Sequence, residues 1–124
     1  GQHQKVMLAR GLVQDPEILL LDEPTSNLDI RHQLEVVNIL KTLARKQDLM
    51  VIMISHDINI TAKFSDKILL LSGGTIMAAG TPEEVITADN IREVYGVECD
   101  VLQLDGHPHV VLKRPVDPGI EWME

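Results

Sequence analysis

Asp22 and Glu23 stand side by side after the apolar run Ile18-Leu19-Leu20-Leu21, and His56 lies 33 positions beyond Glu23. Two adjacent carboxylates are costly without a cation, so a pair at the end of a buried run can serve a metal and a water. An imidazole adds a hydrogen-bond donor whose charge switches near neutral pH. Asp29, at the end of the polar stretch Pro24-Thr25-Ser26-Asn27-Leu28, is a further carboxylate in the same neighbourhood.

These residues need elements that hold them. A bulky apolar run without alternation suits a strand buried on both faces of a parallel sheet, here Glu17 to Asp22, ended by Pro24. In open α/β sheets ligands bind outside the carboxyl ends of the strands, which is where Asp22 and Glu23 fall. Asp29 caps a helix predicted from Ile30 to Arg45, with Ile30, Leu34, Val37, Leu40 and Ala44 at helical spacing. Leu49 to Ser55 reads as the next buried strand. The interval from Glu23 to His56 therefore holds one helix and one returning strand, as a right-handed crossover requires. Before this unit, Val6, Ala9 and Val13, broadened by Met7, Leu8 and Leu12, mark a buried-face helix over Gln2 to Val13, stopped by Asp15-Pro16.

After His56 the pattern predicts a short helix, Asp57 to Phe64, and a strand, Lys67 to Leu71. Gly73-Gly74 between two apolar stretches then marks a two-residue hairpin. Thr81-Pro82-Glu83-Glu84 is a helix start in which Thr81 caps and Glu84 reaches back. A second helix, about Asp89 to Tyr95, stops at Gly96. Val97 to Leu104 and His109 to Lys113 form a hairpin around Asp105-Gly106, and Arg114 onward reads as an irregular tail. Met7, Met50, Met53 and Met77 are expected as core filler. His3 and His32 are expected at the surface, and His107-Pro108-His109 in a solvated turn without a third metal ligand.

The 124 residues allow one modest domain, with 44% hydrophobic residues and aromatics limited to Phe64, Tyr95 and Trp122. A formal charge of −8 disfavours nucleic acid as a partner, because phosphate-backbone affinity comes from Lys and Arg. The single Cys99 has no intrachain disulfide partner, in keeping with a reducing compartment. No apolar run approaches the ~18 residues of a membrane span, and no signal peptide, repeat or low-complexity segment is expected from these residues.

The run Leu20-Leu21-Asp22-Glu23-Pro24-Thr25-Ser26-Asn27-Leu28-Asp29 resembles the Walker B motif and D-loop of the nucleotide-binding domain of ABC transporters. Gly1-Gln2-His3-Gln4-Lys5-Val6-Met7-Leu8-Ala9-Arg10-Gly11-Leu12 resembles the end of that family's signature motif and its following helix. Ile54-Ser55-His56-Asp57 resembles the switch histidine loop, and the three occur in family order up to about Pro82. The resemblance implies an α/β, P-loop NTPase-like three-layer core fragment over residues 1–80 and a small α+β extension over 81–124. No Gly-x-x-x-x-Gly-Lys-Ser/Thr is present, so the phosphate loop is missing and the chain reads as the C-terminal part of a longer domain. In that fold the Walker A strand lies between the strand before His56 and the Lys67 strand. Those two are therefore expected apart or repacked, while the Walker B and His56 strands stay adjacent and parallel.

The resemblance also implies roles. Asp22 would bind Mg²⁺ through water, Glu23 would orient or deprotonate the attacking water, and His56 would contact the γ-phosphate of ATP. Asp29 would cross the interface to a second ATPase subunit. Gly1 and Gln2 would face the nucleotide held by that subunit. Gly80-Thr81-Pro82-Glu83-Glu84-Val85, Asn90 to Val97 and the final hairpin resemble importers of iron-siderophore, haem or cobalamin compounds. The implied partners are a transmembrane permease and a second copy, with membrane association only through the permease at its cytoplasmic face. A soluble non-transport ABC ATPase and a truncated, non-hydrolysing interaction module are the alternatives.

Overall fold

The computed structural model describes residues 17–116. The expected helix over Gln2 to Val13, with Gly1 and Gln2, lies outside them. The described residues divide into two compact units between His56 and Asp57.

In the first unit, β1 (Ile18–Asp22), α1 (Ile30–Lys46) and β2 (Met50–Ile54) form one β-α-β crossover. The strands pair in parallel with Ile18 opposite Met50 and Asp22 opposite Ile54, as expected for the Walker B and His56 strands. The register therefore puts the chain after Asp22 and the chain after Ile54 at the same end of the sheet. α1 starts at Asp29, whose carboxylate accepts from the His32 amide at 2.9 Å, and ends with Arg45 and Lys46 facing its negative pole. Its inner face, Val36 and Leu40, packs on Leu19 and Leu49, with Leu21, Leu43, Val51 and Met53 around them.

The expectation that both faces of these strands are buried fails. Ile18, Leu20, Met50, Ile52 and Ile54 are exposed, Leu20 by as much as 65%. Alternate residues of a strand point to opposite faces, and α1 covers only one of them. Met50 is for the same reason not core filler, and Met77 is also exposed, whereas Met53 packs against the α1 cluster.

The second unit runs through α2 (Ile58–Phe64), β3 (Ile68–Ser72), β4 (Thr75–Gly80), α3 (Pro82–Val85), α4 (Ala88–Tyr95), β5 (Val97–Leu104) and β6 (His107–Pro115). β3 pairs with β4 in an antiparallel hairpin. Gly73 and Gly74 both take positive φ, 57° and 76°, and so make the primed turn that matches strand twist. Ala62, Ile68, Leu70, Val85, Ile86, Ile91, Cys99 and Val110 form the core. Residues on both sides of position 80 thus share one core, although sequence motifs placed a boundary there. Burial pushes the Cys99 thiol up.

Two details of the C-terminal hairpin differ from expectation. His107, Pro108 and His109 belong to β6, not to a solvated turn; Pro108 is buried and both histidines are half-buried. The turn itself is Asp105-Gly106, with φ of 52° and 80°. β6 also continues through Arg114 and Pro115, because Val97 pairs with Pro115 and the Arg114 guanidinium donates to Glu98 at 2.7 Å.

The α3 start is a full capping box, with Thr81 and Glu84 exchanging backbone and side-chain bonds. The Thr81 hydroxyl, then its amide, hold the Glu84 carboxyl below its usual range. Gly80 immediately before it has φ of 153°, and a Cβ there would meet the Glu84 side chain at 3.2 Å. Gly80→Ala should therefore lower stability by about 1–3 kcal/mol, read as a lower denaturant midpoint at unchanged slope. An unchanged midpoint would show that the cap does not need glycine before it.

Candidate active site

Glu23 is positioned by its backbone before its side chain does anything. Its amide donates to the Ile54 carbonyl at 2.7 Å, carrying the β1–β2 ladder one residue past the strand. Its φ is 47°, a left-handed conformation that costs an ordinary residue about 1–2 kcal/mol. The turn that follows is built to hold it. Ser26 N–H donates to the Glu23 carbonyl at 3.1 Å, Leu28 N–H donates to the Thr25 carbonyl at 3.3 Å, and Pro24 and Thr25 are buried. Asn27, also at positive φ, is a residue type that tolerates it.

The side chains then meet. His56 Nε2 lies 2.8 Å from Glu23 Oε1, with His56 83% and Glu23 39% exposed at the side chain. This contact is an ion pair when the imidazole is protonated and a hydrogen bond when the neutral ring carries its proton on Nε2. Asp22 is exposed at the end of β1, on the neighbouring residue. The parallel register makes this possible, since it delivers the two loops to one end of the sheet. Together they offer a carboxylate that can hold a hard cation through water, a second that can take a proton, and a donor for an anion.

Asp29 does two jobs at the start of α1. One oxygen, Oδ1, accepts from the His32 amide at 2.9 Å and sits 2.8 Å from His32 Nδ1. The His32 amide chiefly, and its ring secondarily, hold the Asp29 carboxyl below its usual range. His32 is thus not a bland surface residue. Gln33 was not anticipated either: its amide donates to the Leu28 carbonyl at 3.2 Å and the Thr25 carbonyl at 3.4 Å, stapling the loop to α1. Its place one turn after Asp29 was the only signal. Gly1 and Gln2 lie outside the described residues, and among those no cluster of three or more His, Cys, Asp or Glu could hold a metal by itself.

Residues 1–26 match the family described as ABC transporter. The chain is 47% identical to the ABC transporter ATP-binding protein MJ0089 of Methanocaldococcus jannaschii over 90% of its own length and 43% of the relative's. The chain belongs to the ABC transporter ATP-binding family. It is also 47% identical to the hemin import ATP-binding protein HmuV of Bordetella avium, covering 82% of this chain and 42% of that protein. Identity to the petrobactin import ATP-binding protein FpuC of Bacillus anthracis is 40%, over 92% of this chain and 42% of that protein. A metal-chelate type ABC transporter in an inward-facing conformation superposes with a TM-score of 0.81 at 28% identity, covering 90% of this chain and 46% of that one. The fold is accordingly part of an ABC ATPase α/β domain. The chain spans less than half the length of the curated relatives it matches.

Proposed function

We propose that this chain supplies the Walker B, D-loop and switch-histidine part of an ATP-hydrolysing transporter subunit. The Glu23–His56 contact at 2.8 Å carries the reading, because it joins a carboxylate base and a hydrogen-bond donor for phosphate that are 33 positions apart in sequence. In the intact subunit Glu23 takes a proton from the attacking water, and His56 turns its Nε2 proton from Glu23 to the γ-phosphate. Asp22 suits Mg²⁺, which keeps several waters and needs only one or two carboxylates beside the substrate phosphates. Mg²⁺ bound there supplies neutralisation of phosphate charge. Asp29, in the loop after Walker B, would cross the interface to a second copy. The solved cassette MJ0796, a dimer bound to ADP and Pi in a post-hydrolysis state, supports a paired arrangement; it is 34% identical over 64% of this chain.

The transported class is iron-siderophore, haem or cobalamin compounds, in keeping with the hemin and petrobactin import named for two relatives. Work would pass to a transmembrane permease, with the subunit held peripherally at the cytoplasmic face. No helix among the described residues is long and apolar enough to cross a membrane.

Calorimetric titration tests the division of labour. MgATP should bind the intact subunit and bind residues 1–124 alone negligibly, because the sequence has no phosphate loop. Tight, Mg²⁺-dependent binding by the chain alone would overturn it.

A further inference from the structure

Gln33, in the first turn of α1, spends both hydrogens of its carboxamide on the loop that joins β1 to α1. Its Nε2 donates to the Leu28 carbonyl at 3.2 Å and to the Thr25 carbonyl at 3.4 Å. Helix side chains tilt toward the N-terminus, so a long residue in the first turn reaches back over the preceding loop. Neither acceptor belongs to a helix or strand ladder. Leu28 precedes the cap, and the α1 ladder begins only where the Gln33 amide donates to the Asp29 carbonyl at 2.9 Å. Thr25 is 6% exposed, and a buried backbone carbonyl is costly to leave unpaired.

The clamp reaches Glu23 through two overlapping turns. Leu28 N–H donates to the Thr25 carbonyl and closes residues 25–28, while Ser26 N–H donates to the Glu23 carbonyl and closes residues 23–26. The amide of Glu23 is anchored separately, by its bond to the Ile54 carbonyl at 2.7 Å. With that amide fixed, rotation of φ carries the carbonyl and the side chain of Glu23 together. Its φ of 47° is costly for a residue with a side chain, and the net worth of two hydrogen bonds is of the same order as that cost. Without the clamp the backbone relaxes toward negative φ, which turns the carboxylate away from the place where Oε1 meets His56 Nε2 at 2.8 Å. We infer that Gln33 is a positioning residue for Glu23: its two amide hydrogens close the loop that holds the carboxylate where it takes a proton from water. This rests on the reading of Glu23 as that base.

The test uses the intact subunit, with MgATP titration, steady-state ATPase kinetics and thermal melting. Gln33→Met keeps the length of the side chain and its helix propensity but has no donor. It should lower kcat by about tenfold or more with MgATP affinity near wild type, since small misplacements of a reacting group are costly. Placed in the Glu23→Gln background, the same substitution should cost nothing further, because there is no longer a base to misplace. A merely structural staple would lower the melting temperature and leave kcat unchanged, or would lower kcat by the same factor in both backgrounds. Either result overturns the inference. If Gln33→Met does not fold, Gln33→Glu, which has the size of glutamine and no donor when ionised, is held to the same outcomes. Glu23→Gln alone separates the two readings. Full turnover in it would remove the base on which the inference rests, whereas a slow Glu23→Gln beside wild-type kcat in Gln33→Met would remove only the clamp.

Discussion

Glu23→Gln in the intact subunit should bind MgATP as wild type does and hydrolyse it at least about a hundredfold more slowly, the range expected when a general base is lost. The amide keeps the size of the carboxylate and can still accept from His56 Nε2 across the 2.8 Å contact. It cannot take a proton from water. The backbone placement survives as well, because the bond from the residue 23 amide to the Ile54 carbonyl does not involve the side chain. Equilibrium titration and phosphate release measure the two halves separately. Wild-type turnover would remove Glu23 from the chemistry, and weakened binding would make it a binding residue.

His56→Ala should lower kcat by about 10²-fold, the usual cost of removing one preorganised donor to developing negative charge. Two effects oppose each other in this variant. Losing the imidazole frees the Glu23 carboxylate from its partner, which favours its use as a base. It also deletes the contact to the γ-phosphate, for which no other side chain of the described site has been assigned. The second effect dominates because Glu23 is still half-open to water when His56 is present, so little is gained by releasing it. A kcat at or above wild type would mean that the contact merely restrains Glu23.

Much of this arrangement is legible in the sequence. Gly73-Gly74 and Asp105-Gly106 marked both hairpins because two consecutive positive φ values leave few residue choices. Asp29, Thr81 and Gly96 marked helix ends for equally local reasons. Asp22, Glu23 and His56 stood out by type and spacing, and the parallel register did bring Glu23 and His56 together. What stayed hidden was non-local or lacked a characteristic residue. A uniformly apolar run such as Ile18-Leu19-Leu20-Leu21 does not say which face is covered, and α1 covers only that of Leu19 and Leu21. Glu23 carries no preference for the left-handed conformation it adopts. Asn59 meets Val110 across 51 residues, a pairing no local pattern encodes.

The most direct measurement of the central claim, that Glu23 and His56 act as one hydrolytic unit, is a double-mutant cycle on kcat in the intact subunit. If the pair works together, Glu23→Gln with His56→Ala should be about as slow as the slower single variant, as is found for residues that act as a unit. Losses that multiply would show two groups working independently and would contradict the account.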